Sequence, residues 1–510
     1  MNAITLVTPP STFLLDERMF PNLGILKVAS ALEGKGWRVS HLDLSGYRNF
    51  APIAMRYAAT ASSNLFGITA TSPQLPAAVE IAAAIRSVRK DARVILGGAH
   101  ATLVYAAKRR EARQGRVSRA HRAVERIERL FDCIVAGDGE IAIHVACEKN
   151  SPLIIDADGF KNEAGERPEA FLTPQQLEAS AFPARHLIDL DSYNFSIDGV
   201  RATSIIAQLG CPFECGFCAG RNSPTLRHIR TRGAHAVLHE MLHMYHTFGI
   251  RGFMFYDDEQ NLVHDEFVDL LQQLIKVQQT LGTEWRLRGN VKSQLFNEEQ
   301  AKLMYRAGYR KILIGFESGS ARILANIRKR ATQEDNTRCM EIARKYGLQV
   351  KALMSVGHPG ESQKTITETR QWLQWVKPHE VDFSIITPYP GSPYYDDAIP
   401  MGEREFVYMC RSGFAGTIDR LFQVEVDYRT ESDYYKGDPN ALVISHVWTD
   451  YLSPEELVEA RNRLEADTRQ ALGVSYYRRS DPLDCEAINY GHSMGQTPIL
   501  PSRMLRVTRV

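Results

Sequence analysis

The stretch GCPFECGFC, Gly210 to Cys218, sets three cysteines at positions 211, 215 and 218 of a 510-residue chain that has eight in all. Spacings of three and two residues place the thiols in one tight loop, and Pro212 and Gly216 suit the sharp turns it needs. Thiolates are soft ligands, so the loop reads as a metal site. Structural zinc is normally closed by four ligands from paired knuckles; no second CxxC occurs, and His228 is the nearest downstream histidine that would complete a Cys₃His site. An iron–sulfur cube takes one ligand per iron, so three cysteines leave one iron open. On the loop alone, both readings stand.

Outward from the loop, the chain alternates. TSIIAQLG, GFMFYDDE, EWRLRGN, KILIGFESGS, QVKALMSVGHPGE and VDFSIITPYPGSPYY read as strands separated by amphipathic helices, six β/α repeats over residues 196–396. That pattern predicts an open or partial barrel with its chemistry at the strand ends. Residues 1–150 alternate in the same way through ITLVTPP, WRVSHLDL, LFGITAT, ARVILGGAH and FDCIVAGDGE, which predicts a parallel, doubly wound sheet with ligands at the carboxyl ends of its strands. Residues 151–195 are irregular and polar, as in a linker. Residues 397–510 form a mixed, mostly α extension with one clear helix, SPEELVEARNRLEADTRQALG.

Composition bounds the function. A 44% hydrophobic, 24% charged chain of this length is an ordinary globular protein of several domains. Lys plus Arg (61) nearly cancels Asp plus Glu (60), so no global field steers it to nucleic acid or an anionic membrane. No apolar run nears the roughly 18 residues of a membrane span, and MNAITLVTPP is no secretory leader, so a cytoplasmic setting is expected. The segment 108–129 carries nine basic and three acidic residues and reads as a solvated helix or mobile loop, its functional alternative being a docking surface for an acidic carrier or anionic substrate. No nucleophile–base pair or zinc protease motif is present. Cys133 and Cys147 read as buried strand and helix residues, and Cys339, Cys410 and Cys485 are too scattered for a second cluster.

CxxxCxxC with an aromatic before its last cysteine, at the end of the first strand of six β/α repeats, resembles the radical S-adenosylmethionine (SAM) superfamily. FYDDE at 255–259, Arg288, GFESGS at 315–320, GHPGE at 357–361 and TPYPGSPYY at 387–395 follow in the order of that family. The resemblance implies a [4Fe–4S] cluster on Cys211, Cys215 and Cys218, its open iron chelated by SAM. It places Phe217 against the adenine or the cluster, and Tyr256, Asp257, Asp258 and Glu259 near the methionine amine. Arg288 falls at the carboxylate, and Glu317 and Ser318 at the ribose or methionine. Gly357, Pro359 and Gly360 shape the adenine-facing loop. For Arg288 and Glu317 the plain alternative is an ion pair inside the barrel.

The front region resembles the cobalamin-binding branch of that superfamily through PNLGILKVASALEGKGWRVSHLD from Pro21, GGAHAT from Gly97 and FDCIVAGDGE from Phe131. The resemblance implies a Rossmann-like cobalamin domain, with Thr8, Gly67, Thr69, Thr71, Ser72, Gly97, Gly98, His100 and Gly137 as candidate contacts. The DxHxxG loop is absent, because LDLSGYRNF from Leu42 has no histidine at the required offset; cobalamin is expected without a protein imidazole on cobalt. His100 is expected to order its loop.

The function this implies is methyl transfer to an unactivated carbon of a small-molecule or carrier-bound substrate. An external one-electron reductant of flavodoxin or ferredoxin type would feed the cluster. An oxidative cyclase or ring-rearranging enzyme with the same cofactors is the alternative, and a non-catalytic cobalamin or metal sensor is the alternative of another class. Tyr389, Tyr394, Tyr395, Tyr428, Tyr434, Tyr435 and Trp448 are candidates either for a substrate pocket or for core.

Overall fold

The computed structural model describes residues 2–11, 17–161, 165–193, 195–411, 416–428 and 444–474. Tyr434, Tyr435 and Cys485 lie outside them.

Strands β1 (Ala3–Thr8), β2 (Arg38–Asp43), β3 (Leu65–Thr69), β4 (Arg93–Gly97), β5 (Cys133–Gly137) and β6 (Ile154–Ala157) form one parallel sheet in the order β2-β1-β3-β4-β5-β6. The apolar runs of the inner strands β1, β3, β4 and β5 are buried on both faces, and the edge strand β2 is half-exposed. Helices Leu23–Glu33 and Gly139–Ala146 cover one face, and helices Phe50–Thr60, Leu75–Val88, Ala99–Arg113 and Arg119–Glu128 the other. The strand order reverses between β1 and β3, which opens a crevice at their carboxyl ends. β6 lies in the stretch whose sequence reads as irregular; four residues, IIDA, are too few for a period to register.

The second unit opens with a hairpin of β7 (Ser196–Ile197) and β8 (Val200–Ile205). A short pair, β9 (Gln208–Leu209) with β10 (Arg230–Thr231), then closes the stem of the cysteine loop. β11 (Gly252–Phe255) and β12 (Arg286–Arg288) continue from β8 in parallel, and β13 (Lys311–Glu317), β14 (Gln349–Val356) and β15 (Glu380–Ile385) form a second parallel set. Parallel bridges Leu287–Tyr309 and Asn290–Leu313 join the two sets into six consecutive barrel strands. The free edge of β15 is covered by helix Pro454–Leu472, whose Arg461 Nε and Nη2 donate to the Phe383 carbonyl (3.0 and 2.9 Å) and whose Arg469 Nη2 donates to that of Val381 (3.0 Å).

The extension also holds an antiparallel sheet of β16 (Ile399–Pro400), β17 (Glu405–Arg411), β18 (Ile418–Val424) and β19 (Val447–Thr449), strands that the sequence did not make legible. Among the described residues no helix is long and apolar enough to cross a membrane.

The arginine-rich segment departs from its expected solvated state. It is the end of helix Ala99–Arg113, a turn, and helix Arg119–Glu128, with the Glu111 carboxylate accepting the Ser118, Ala120 and His121 amides (3.0–3.1 Å). Arg119 is buried between the Tyr395 and Phe406 rings and donates to the Tyr395 carbonyl (2.7 Å) and Gln423 Oε1 (2.8 Å). Arg110 pairs with Asp397 at 2.9 Å, and Arg116 donates to the Ala398 carbonyl at 2.9 Å. Three of the segment's nine basic residues therefore fasten the front unit to the chain beyond the barrel.

Asp158, just after β6, ties the front sheet to the far arm of the cysteine loop: it accepts from Ser223 Oγ and from the Thr225 amide. Burial pushes its carboxyl up to about 7. Between about pH 4 and 7 the unfolded chain has released a proton that the folded protein still holds, so this group's stabilisation is lost as pH rises through that window. Asp158→Asn keeps the acceptor and removes the titration. Its unfolding free energy from denaturant titration should match wild type near pH 4 and exceed it by pH 8, by a margin on the order of 1–3 kcal/mol.

Candidate active site

The cysteine loop is held at its stem, its crown and its flank. Asp257, just beyond β11, accepts the Ala207 and Gln208 amides (2.8 and 3.0 Å), and Asp258 accepts that of Gly210 (3.0 Å). These two carboxylates, expected near the methionine amine, are thus committed to the main chain that presents the cysteines. At the crown, Gly216 donates to the Ile327 carbonyl (2.8 Å) and accepts from the Tyr394 amide (2.9 Å), and a Cβ at this position would overlap the Tyr394 ring. Arg221 donates to the Phe213 carbonyl (3.1 Å) and Arg227 to that of Pro212 (2.9 Å).

Cys211, Cys215 and Cys218 are free thiols within electrostatic reach of one another. Burial pushes the Cys218 thiol up to about 12 and raises Cys211, with Arg221 pulling both down. Two more buried cations act here: Lys292, whose Nζ sits 3.9 Å from the Phe213 ring centroid, and Lys329. Three thiolates bring three negative charges into a poorly solvated loop, and Arg221, Lys292 and Lys329 offset them. This donor set and its counter-charge fit an anionic iron–sulfur cluster. Among the described residues no three His, Cys, Asp or Glu side chains converge on a single point, and one thiolate per iron does not require it. His228, the ligand a zinc site would need, is exposed with its ring 6.1 Å from that of Phe171.

The other expected SAM residues divide by whether their polar atoms are already engaged. Ser318 Oγ lies 2.9 Å from Thr369 Oγ1 and accepts the Ser320 amide (3.1 Å). Glu317, in the left-handed region at φ 64°, pairs with Lys329 (2.8 Å) and accepts from Ser355 Oγ (2.8 Å), so its plain reading as a barrel ion pair is realised. Arg288 is different. It is 1% exposed, its Nε and both Nη atoms have no hydrogen-bond partner among the described residues, and burial lowers its guanidinium to about 10. A buried cation with idle donors at the end of β12 calls for an anion. Phe217 stands edge-on to His358 (ring centroids 5.3 Å), Tyr256 is partly exposed with its ring 5.2 Å from Phe20, and the Pro359 carbonyl two residues after Gly357 accepts from Asn326 Nδ2 (2.7 Å).

Sequence reasoning missed Arg221, Lys292, Lys329 and His358. Only His358, inside GHPGE, lay in a flagged motif. It is fully buried, 2.8 Å from Ser355 Oγ, and burial pushes it down to about 4, so the ring is neutral.

At the carboxyl ends of β1, β3, β4 and β5 lies a largely apolar cavity of about 310 Å³. Gly67, Thr69, Gly97, Gly98 and Gly137 are in its walls, whereas Thr8, Thr71, Ser72 and His100 are not. Those four order the loops: Thr8 Oγ1 lies 2.9 Å from His41 Nε2, Thr71 Oγ1 donates to Gln74 (3.0 Å), and Ser72 Oγ lies 2.9 Å from His100 Nδ1. Nothing stands within 4 Å of a Cβ at Gly97, while that space is filled at Gly98 by Thr69 Oγ1 and the Ala70 backbone and at Gly137 by the backbone of Ala157 and Asp158. The opposite wall belongs to the barrel unit. Leu209 and Leu226 line it, and the carbonyl of Leu226 accepts the Cys211 amide (3.0 Å).

A family model described as the radical SAM superfamily matches residues 205–373, and one described as the B12 binding domain matches residues 17–128. The chain thus carries a radical SAM domain and a B12-binding domain. It is 26% identical over 343 residues to the uncharacterized methyltransferase PH0819 of Pyrococcus horikoshii, covering 66% of this chain and 69% of that one. It is 23% identical over 346 residues to the anaerobic magnesium-protoporphyrin IX monomethyl ester cyclase of Rubrivivax gelatinosus, covering 66% of this chain and 59% of the cyclase. The radical SAM methyltransferase TsrM of Kitasatospora setae, solved with tryptophan and a SAM analogue, shares the fold over 95% of this chain and 90% of its own at a TM-score of 0.62 and 19% identity. A second TsrM structure holds cobalamin and a [4Fe–4S] cluster.

The seat of the loop gives a direct test. In Gly216→Ala the added methyl must displace either the Tyr394 ring or the loop. Anaerobically reconstituted variant protein should retain less than about half of the wild-type iron at an unchanged far-UV circular dichroism spectrum, because interiors are close-packed and the ring has no room to retreat.

Proposed function

We propose that this chain is a cobalamin-dependent radical SAM methyltransferase acting on an unactivated carbon of a small molecule. The observation that carries the reading is the shared wall: Leu209 and Leu226 bracket Cys211 and also close the cavity at the ends of the front sheet. A group seated in that cavity lies against the loop that would hold the cluster.

In this reading Cys211, Cys215 and Cys218 hold the cluster, with Arg221, Lys292 and Lys329 offsetting its charge. Arg288 offers its idle donors to the methionine carboxylate. Phe217, Gly357 and Pro359 shape the adenine side, and Tyr256 stands at the barrel mouth. Gly67, Thr69, Gly97, Gly98 and Gly137 cradle cobalamin, which is held without a histidine on cobalt. When bound, these groups supply the reductive cleavage of SAM and the methyl to be transferred. The chain's own task is to align them and exclude water. An external flavodoxin- or ferredoxin-type protein supplies the electron, in the cytoplasm.

Cyclisation with the same cofactors is the second reading, favoured by the likeness to the cyclase. Anaerobic turnover separates the two: methylated product with S-adenosylhomocysteine is expected, and 5′-deoxyadenosine alone with an unmethylated product sinks the methyltransferase. Arg288→Met should leave the iron content unchanged and raise the KM for SAM about 10- to 100-fold, the effect of losing charge-assisted hydrogen bonds to a carboxylate.

A further inference from the structure

A second cavity, of about 890 Å³, lies on the other side of the front-sheet loop from the cofactor cavity. Helix Leu75–Val88 gives it Leu75 and Val79, the segment beyond β15 gives it Pro388 and Pro390, and Tyr428 closes one side. Its size is that of a small-molecule site. Ala99 lines the cofactor cavity and the next residue, His100, lines this groove, so a single step along the chain separates the two.

His100 is 2% exposed; its Nδ1 is engaged by Ser72 Oγ (2.9 Å) and its Nε2 has no partner among the described residues. Ser72 Oγ can donate to Nδ1, and an anion at Nε2 selects that tautomer, in which Nε2 carries the proton and donates it. The charged group acting on His100 is Arg126, which is exposed and has no carboxylate partner among the described residues. Among the other charges that line the groove, Arg119 serves Tyr395 and Gln423, Arg122 faces Glu425 at 3.7 Å, Arg404 Nη2 donates to the Glu425 carbonyl (3.4 Å), and the carboxylates of Glu80, Glu403, Glu425 and Asp427 are not among the groups that act on His100. The groove thus has an apolar, aromatic body and one donor-rich, cationic end. Next to that end Tyr428 presents its ring to His100 at 6.1 Å, nearly perpendicular.

We propose that this groove anchors the substrate, a planar apolar molecule carrying a carboxylate or phosphate that is received by Arg126 and by Nε2 of His100. The proposal deepens the methyltransferase reading and rests on it. A guanidinium and a buried donor recognise either anion, and the apolar walls take the body of the molecule alongside the cofactor cavity.

The test uses the cobalamin-loaded chain, so that the first cavity is filled, and a matched pair of probes, 1-naphthoate and 1-naphthalenemethanol, in calorimetric titration. Wild type should bind the naphthoate about tenfold more tightly, the factor for one charge-assisted hydrogen bond. Arg126→Ala should erase the difference, and Arg129→Ala, outside the groove, should keep it. Equal affinity of wild type for the two probes overturns the proposal, as does an undiminished preference in Arg126→Ala. If Arg126→Ala loses the preference but the intact enzyme transfers no methyl group to any acceptor, the reaction proposed above falls and the groove stands. Methyl transfer whose kcat/KM is indifferent to Arg126→Ala overturns the groove and leaves the reaction.

Discussion

The site rests on one close packing contact, Gly216 against the ring of Tyr394. The crown of the cysteine loop sits where only a residue without a side chain can, and backbone hydrogen bonds fix it there from both sides. Tyr394 is itself fully buried, with its hydroxyl 3.4 Å from His358 Nδ1, its ring against Tyr408 and its carbonyl accepting from Gln423 Nε2 at 2.7 Å. The short stretch Ser392–Ala398 is therefore a hub. Asp396 receives Asn222 of the cysteine loop, Arg119 and Arg116 of the front unit grip the carbonyls of Tyr395, Asp396 and Ala398, and β18 reaches it through Gln423. Three regions distant in sequence meet on seven residues, which is how the front cavity and the cysteine loop come to share a wall.

Electrostatics divides the labour among residues that look alike in sequence. Of the acidic run at 257–259, Asp257 and Asp258 spend their oxygens on the loop stem, whereas Glu259 keeps a buried oxygen without a partner among the described residues. Of the buried cations, Lys329 is tied to Glu317, Lys351 pairs with Asp382 at 2.6 Å, and Arg288 alone in that set has three idle donors. A charged side chain removed from water without a partner is costly, so its persistence at the end of a barrel strand marks a position that waits for an anion.

The arginines of 108–129 and of helix Pro454–Leu472 show a common use of that side chain. Arg116, Arg119, Arg461 and Arg469 all donate to backbone carbonyls, at loop 395–398 in the first case and along β15 in the second. A planar fork with several donors closes such edges where a lysine would offer one point charge. What reads as surface charge in composition is in part internal fastening.

The sequence alone determined the class of fold and singled out the three-cysteine loop as the candidate metal site. Strand and helix periods, together with three cysteines at fixed spacing, depend on local geometry, and local geometry is written in neighbouring residues. β6, β16 and β19 were too short to carry a period; in β17 the apolar Val407 and Met409 alternate with the buried residues, and in β18 Asp419 and Gln423 are buried, so neither seven-residue strand shows an apolar alternation in sequence. The commitments of Asp257, Asp258 and Ser318, the cations around the thiols, the internal use of the arginine-rich segment and the groove beside His100 were decided only by the tertiary structure. Each depends on which atom across a long loop is near enough to take or give a hydrogen bond, and no spacing along the chain encodes that distance.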